Sequence, residues 1–289
     1  MSPRAILAIG GLTVREVARR RIIWVLAGLS VVSILLVAWG VDQLVSTART
    51  DGGVTEIELR IGVSQVLILI AFMFSFVLAM SAAFLGAPAI ASDVETGTVH
   101  AMLARPLRRS ELVLGRWLGL SAVVAIYAVL SGLLAIAAVG WVSGHTPPSP
   151  QVAVAFLALQ AVAVLTLAVT LGTRLPAIAA GSIVVVLFGL SWFAGVLGNV
   201  AVALDARPIA GVGEVSRVLM PTDGLWRGVI YGLEPPLVLV LANVRNAEAL
   251  RANPFFAPEP PPPAFIAWSI VWIALVLATG IALFRRREL

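Results

Sequence analysis

The residues of this chain that could do chemistry gather in one island, Ser92 to Arg116, which reads S-D-V-E-T-G-T-V-H-A-M-L-A-R-P-L-R-R-S-E-L-V-L-G-R. Residues 61–92 before it and 117–173 after it contain no Asp, Glu, Lys or Arg. The chemistry such an island suits is docking. Ser92-x-x-Glu95 has the form of a capping box, so the spacing predicts a short helix starting at Ser92, with Asp93 and Glu95 favourable in its first turn. That helix can run to about Ala104, where Pro106 interrupts it, and Ser110-Glu111 starts the next one. Gly97 inside it costs up to about 1 kcal/mol relative to Ala, which makes sense if another backbone approaches there. A plainer reading makes Glu95 only a cap and Arg105, Arg108 and Arg109 only lipid-facing topology signals. The residues alone weigh the two equally.

The island must be held by membrane spans. The 289 residues are 60% hydrophobic and 12% charged, with a mean hydropathy of +1.01. Soluble domains carry about 25% charged residues, so the composition is that of a polytopic membrane protein. All 20 basic residues are arginine. Without lysine there is no G-x-x-x-x-G-K-[ST] phosphate loop, hence no Walker-type ATPase in this chain. Without cysteine there are no disulfides, thiolates or iron–sulfur ligands. His100 and His145 are too far apart to suggest a histidine-rich metal site. The arginines cluster at span ends without interleaved stacking aromatics, which argues against nucleic acid despite the basic balance. The first apolar stretch, Ile22 to Val41, is longer than the roughly 7–15 residues of a signal-peptide core.

The expected fold is all-α, a single transmembrane domain over residues 1–289. Charge-free windows predict six spans at about 22–41, 63–85, 117–141, 152–172, 177–199 and 264–284. Arg19, Arg20 and Arg21 bound the first span on one side and Asp42 on the other. His145-Thr-Pro-Pro-Ser-Pro150 separates the third from the fourth, and Gly172-Thr-Arg174-Leu-Pro176 turns the fourth into the fifth. The short loops on one side carry nearly all the arginines, so the positive-inside bias puts both termini and the island in the cytoplasm. The arginine-only composition suggests a bacterial source, hence a bacterial cytoplasmic membrane. Residues 3–21 read as an interfacial amphipathic helix with Ile6, Ile9, Thr13 and Val17 on one face. A simple topogenic flank explains them about as well. The outer segment 200–263 holds 10 of the 17 prolines and ends in the stiff run Pro258-Glu-Pro-Pro-Pro-Pro263. Its stretches 221–231 and 236–242 either lie on the membrane surface or form a small cap, and an irregular connector is an equal alternative.

None of the six windows contains a charge. Ion-coupled transport ordinarily needs an intramembrane carboxylate or histidine, and intramembrane hydrolysis needs a nucleophile beside its base. A chain lacking both must borrow energy or do no transport work. If the spans form a path, its uncharged lining favours lipidic or amphiphilic cargo.

Glu95, Gly97, Thr98, Leu103, Pro106, Arg109 and Gly115 together form E-x-G-T, L-x-x-P, an arginine and a glycine entering an apolar helix. In that order they resemble the signature of ABC transporter permeases of the ABC-2 type. The N-terminal L-x-x-R-E-x-x-R-R-R (Leu12, Arg15, Glu16, Arg19, Arg20, Arg21), the Pro221-Thr-Asp-Gly-Leu225 stretch and the ending Phe284-Arg-Arg-Arg-Glu-Leu289 look like that family as well. By these residues the nearest cousins are permeases associated with multicopper-enzyme maturation. The resemblance implies an exporter of two permeases, either identical or paralogous, and two separate ATP-binding subunits that hold ATP and Mg. No cofactor is expected in this chain. The loop after the second span would dock in the ATPase with Glu95, Gly97, Thr98, Leu103, Arg105, Pro106 and Arg109 at or near the contact. Arg15, Glu16, Arg19 and Arg20 would lie beside it. The first, second and fifth spans would line the route at the dimer seam, where Gly181, Ser191, Gly195 and Gly198 permit close approach, as ordinary internal packing also would. The contrasting function is a non-transporting membrane anchor or assembly factor for a partner enzyme.

Overall fold

The computed structural model describes residues 2–19, 21–51, 55–96, 108–204, 206–235, 253–257 and 259–287. Among them every regular element is helical: α1 (Pro3–Arg19), α2 (Arg21–Asp51), α3 (Glu56–Gly86), α4 (Pro88–Glu95), α5 (Arg109–Ser143), α6 (Pro150–Gly172), α7 (Ala177–Ala203), α8 (Arg207–Leu219), α9 (Thr222–Leu233) and α10 (Pro263–Arg285). Six of these, α2, α3, α5, α6, α7 and α10, are long and apolar enough to cross a membrane.

The spans outrun their charge-free windows. α5 has 35 residues, about 52 Å at 1.5 Å per residue, against a hydrocarbon core of about 30 Å. Charges bound the hydrocarbon-facing part of a helix without ending the helix, so Asp42 sits exposed within α2, which continues to Asp51. What ends α5 is Gly144, in the left-handed region at φ 71°, whose N–H bonds the Gly140 carbonyl at 3.0 Å. Pro150 then opens α6 at a position where its missing N–H is not needed.

α6 is the axis of the bundle. In its most apolar stretch 72% of residues are buried, against 17% in the first span. α3, α5, α7, α9 and α10 all pack on it, and alanines at 153, 158, 161, 163 and 168 keep its surface shallow.

The stretch 221–231 belongs to a helix, α9, packed among the spans. Ten of the twelve residues of α9 are buried, Leu225, Trp226, Ile230 and Leu233 nearly completely. The helix lies against α6, α7 and α3. It fits because Gly232 meets the Ala153 backbone, where a Cβ would stand 2.7 Å from the Ala153 nitrogen. The Gly232 carbonyl accepts from the Ser149 N–H at 3.2 Å, at the mouth of α6. Phe72 of α3 packs on Trp226, Trp192 and Phe255, with ring centroids 5.1–5.6 Å apart. A helix can be buried this way because its own ladder satisfies its backbone. The stretch 236–242 lies outside the described residues.

Candidate functional site

The predicted docking face is the end of the bundle that carries α1 and the arginine-rich turns. α1 is an amphipathic helix with one face on the bundle and Leu7 and Leu12 exposed. Its buried face, Gly10, Thr13 and Val17, lies on α5. Two glycines of α5 allow the crossing: a Cβ on Gly115 would stand 2.6 Å from Ile9 Cβ, and one on Gly119 would stand 2.6 Å from the Gly10 carbonyl oxygen. Gly115 thus has a structural reason to be glycine.

The helix after the second span begins earlier than its sequence suggests. Ala87 stays in the right-handed helical region, Pro88 occupies the first helical position and α4 ends at Glu95. Ser92 is therefore no N-cap. It sits mid-helix, its Oγ donating to the Pro88 carbonyl at 2.6 Å. Proline at a first turn outweighed the capping-box pattern, because the chain needs only a bend after α3, not a fresh start. The correction reverses the electrostatics. Asp93 and Glu95 lie in the last turn of α4, where the helix dipole disfavours anions, and each has an external donor.

Those donors join the elements. Arg116 of α5 donates to Asp93 Oδ2 at 2.7 Å and to Glu16 Oε2 of α1 at 3.1 Å. Arg116 and Asp93 side chains are each 14% exposed, so the pair is well shielded from water. Glu95 Oε1 accepts from the Ala177 N–H, the first residue of α7, at 3.2 Å. There the carboxylate sits at the positive end of the fifth span's dipole. Glu111 is buried and accepts from the Ser2 N–H at 2.6 Å and the Arg108 N–H at 3.1 Å, holding the starts of α1 and α5 together. Arg109 donates to the carbonyls of Arg285 and Arg287 at 3.2 and 2.5 Å, and Arg287 donates to the Thr173 carbonyl at 2.6 Å. These bonds satisfy acceptors beyond the ends of α10 and α6.

Of the residues singled out in the sequence, Glu95, Arg109 and Glu16 are thus fixed on this face. Arg15 and Arg19 are exposed on α1. Gly97, Thr98, Leu103, Arg105, Pro106 and Arg20 lie outside the described residues, as does the predicted continuation of the helix to Ala104. Sequence reasoning did not single out Asp93, Arg116, Glu111 and Arg287 as links. Their partners on other elements stand 23 to 178 positions away, and the one local signal was charge at a span boundary.

A second polar cluster lies at the far end, where the charge-free windows gave no hint of it. α8 and α9 carry it in. Arg217 Nε donates to Asp223 Oδ2 at 2.8 Å, Arg227 Nε stands 3.9 Å from the same oxygen, and both guanidinium groups bond the Asn199 side-chain oxygen of α7. Asp223 is 5% exposed and lies against Gly195, where any Cβ would collide with the carboxylate. Burial, then the neighbouring Arg217, draw the Arg227 pKa below its ordinary value, opposed by Asp223. Burial pushes the Glu234 carboxyl from 4.5 to about 7, against one hydrogen bond from the Ala257 N–H at 3.2 Å. The small residues of the fifth span serve internal contacts here: Gly181 meets Phe84, Gly195 meets Asp223, Gly198 meets Gly213, and Ser191 bonds Met220 and Thr222.

Among the described residues neither cluster sets a nucleophile beside a base; each ties helices to one another. Residues 7–289 match the family described as ABC-2 family transporter protein. No curated protein matches the chain.

Proposed function

The chain belongs to the ABC-2 family of transporter membrane proteins, and from that membership we propose that it is the permease subunit of an ATP-driven exporter whose ATP and Mg are held by a separate ATP-binding subunit. Two permease copies, identical or paralogous, form the working pair, with both termini in the cytoplasm. The ATPase docks on α1, α4 and the residues that follow Glu95. The finer likeness to permeases associated with multicopper-enzyme maturation rests on the Glu95–Gly115 motif and the Phe284–Leu289 ending.

One observation supports coupling at this face above others: the last turn of α4 is wired to α1 and α5 through Arg116 and to α7 through Glu95. A push on α4 from a closing ATPase reaches the third and fifth spans without crossing a flexible joint. Glu95 is the most direct of these links, since its partner is the backbone of a span and not another long side chain.

The deciding experiment reconstitutes the permease with its ATPase in vesicles and compares wild type with Glu95→Ala. The expected result is an assembled complex in which hydrolysis continues and transport falls by about tenfold, the equivalent of roughly 1.4 kcal/mol of lost coupling. Unchanged transport and hydrolysis in the variant overturn the role of Glu95. Failure of any ATPase to assemble with wild-type permease favours the membrane-anchor alternative.

A further inference from the structure

Between α2, α3, α5 and α6 lies a cavity of about 440 Å³, with Val229 and Leu233 of α9 closing its far-end side. That volume falls within the roughly 300–1,000 Å³ of small-molecule sites. None of its described lining residues is charged. Its polar groups are hydroxyls, and the two at its deep end, Ser30 Oγ and Tyr127 OH, bond each other at 2.5 Å, so they make no demand on a ligand.

Position and depth identify the occupant. Along α3 the cavity runs from Leu67 to Val77, ten residues or about 15 Å. That is half of a hydrocarbon core of about 30 Å. Its shallow end is at Ala153, just inside the start of α6, so it occupies the leaflet remote from α1. Leu29, Leu69, Met73 and Val77 line it and are each more than half exposed, which means that it opens sideways between α2 and α3. A dry apolar void can persist inside a protein. Open sideways at this depth, between the first and second spans that would face the seam, the slot is within reach of the bilayer's acyl chains.

We propose that this slot binds one hydrocarbon chain of a bilayer amphiphile in the far-end leaflet, and that the transported substrate is of that class. The head group remains at the interface, level with Glu56, Arg60 and His145, while the slot grips the chain. This rests on the permease reading for its second half only; chain binding stands independently of ATPase coupling.

The test uses the permease–ATPase complex in phospholipid nanodiscs containing phosphatidylcholine with a photoactivatable diazirine in one acyl chain. Illumination and peptide mapping are expected to label residues 67–77 and 127–136 about tenfold above the exposed face of α10 at Ile270, Val271 and Leu275. Ala135→Phe and Ser33→Phe, which fill the slot from two different helices, each remove the excess and leave α10 labelling unchanged. Equal labelling of the slot and α10 means annular lipid only and overturns the site, as does excess labelling that survives in both folded variants. For the substrate class, single-chain lysophosphatidylcholine below its micellar concentration raises ATP turnover by wild type and not by Ala135→Phe. Slot labelling without that stimulation overturns the second half. A complex whose hydrolysis ignores the permease altogether overturns the permease reading, and the labelling result still stands or falls by itself.

Discussion

At the arginine-rich end, helices are joined by single long side chains that reach from one element to the terminus of another. At the far end, a whole helix, α9, is buried among the spans and brings its charges with it. The first arrangement leaves its outer bonds open to water, with Glu16 45% exposed in its pair with Arg116 and Glu95 exposed, beside a shielded Arg116–Asp93 pair. The second places Asp223 at 5% exposure between two arginines. Partly exposed links can break and reform at modest cost, whereas a buried carboxylate tolerates no loss of its partners. On the permease reading proposed above, the exposed links belong to the end that moves and the buried cluster to the end that holds.

The largest effect that would break this contrast is at Asp223. Asp223→Ala leaves two guanidinium groups facing each other in a shielded site, and the expected loss is about 3–5 kcal/mol, read as a fall in the thermal unfolding midpoint in detergent. A change of under about 1 kcal/mol would place the cluster among ordinary surface pairs. Arg116→Ala comes next, at about 1.5–3 kcal/mol for two charge-assisted bonds. Its distinguishing readout is the loss of transport per ATP hydrolysed in the reconstituted complex, which Asp223→Ala protein that still folds should retain.

The two ends also differ in how far the sequence disclosed them. The six spans were legible because charge-free windows report hydrocarbon directly, and the turns because Pro150, Gly172 and Pro176 act locally. At the arginine-rich end the boundary charges Glu95 and Arg109 were legible as positions. The wiring there was not, because Arg116 meets Glu16 from 100 positions away. The far end was the least legible. The stretch 221–231, with Asp223, Arg227 and two glycines, reads as too short or too broken to cross. Glycines at 224, 228 and 232 recur every four positions and form the flat face that lets α9 enter, against Phe265, Phe156 and Ala153. Spacing of that kind becomes informative only once the partner surface is known.

Acid sharpens the contrast further. Glu234, with its pKa near 7 in the fold against an ordinary 4.5, binds its proton more tightly folded than unfolded. The folded state therefore holds more protons between those values, and stability falls as pH rises through about 4.5 to 7, then levels off. Glu234→Gln mimics the protonated form and is expected to flatten that slope in thermal unfolding measured across the window. A slope identical to wild type would remove Glu234 from the far-end lock. Burial also raises the Asp93 carboxyl at the opposite end, which adds a slope of the same sign, so the Gln variant is the measurement that isolates Glu234.

The smallest effect tests the bend after α3. An N-cap serine at the start of a new helix contributes about 1 kcal/mol, which Ser92→Ala would remove. A mid-helix serine bonding the carbonyl four residues back contributes nothing and bends the helix slightly. With Ser92 Oγ on the Pro88 carbonyl, Ser92→Ala is expected to leave the unfolding midpoint unchanged or raise it slightly. Pro88→Ala supplies the complement. It removes the residue that separates α4 from α3, so the two helices can fuse across Ala87, which is already helical. Fusion swings Asp93 and Glu95 away from Arg116 and Ala177, so this variant should lose coupling while gaining helix content by circular dichroism. A destabilised Ser92→Ala together with an unaltered Pro88→Ala would mean that the docking helix starts afresh at Ser92, and the mobile end would then be hinged at Ser92, not at Pro88.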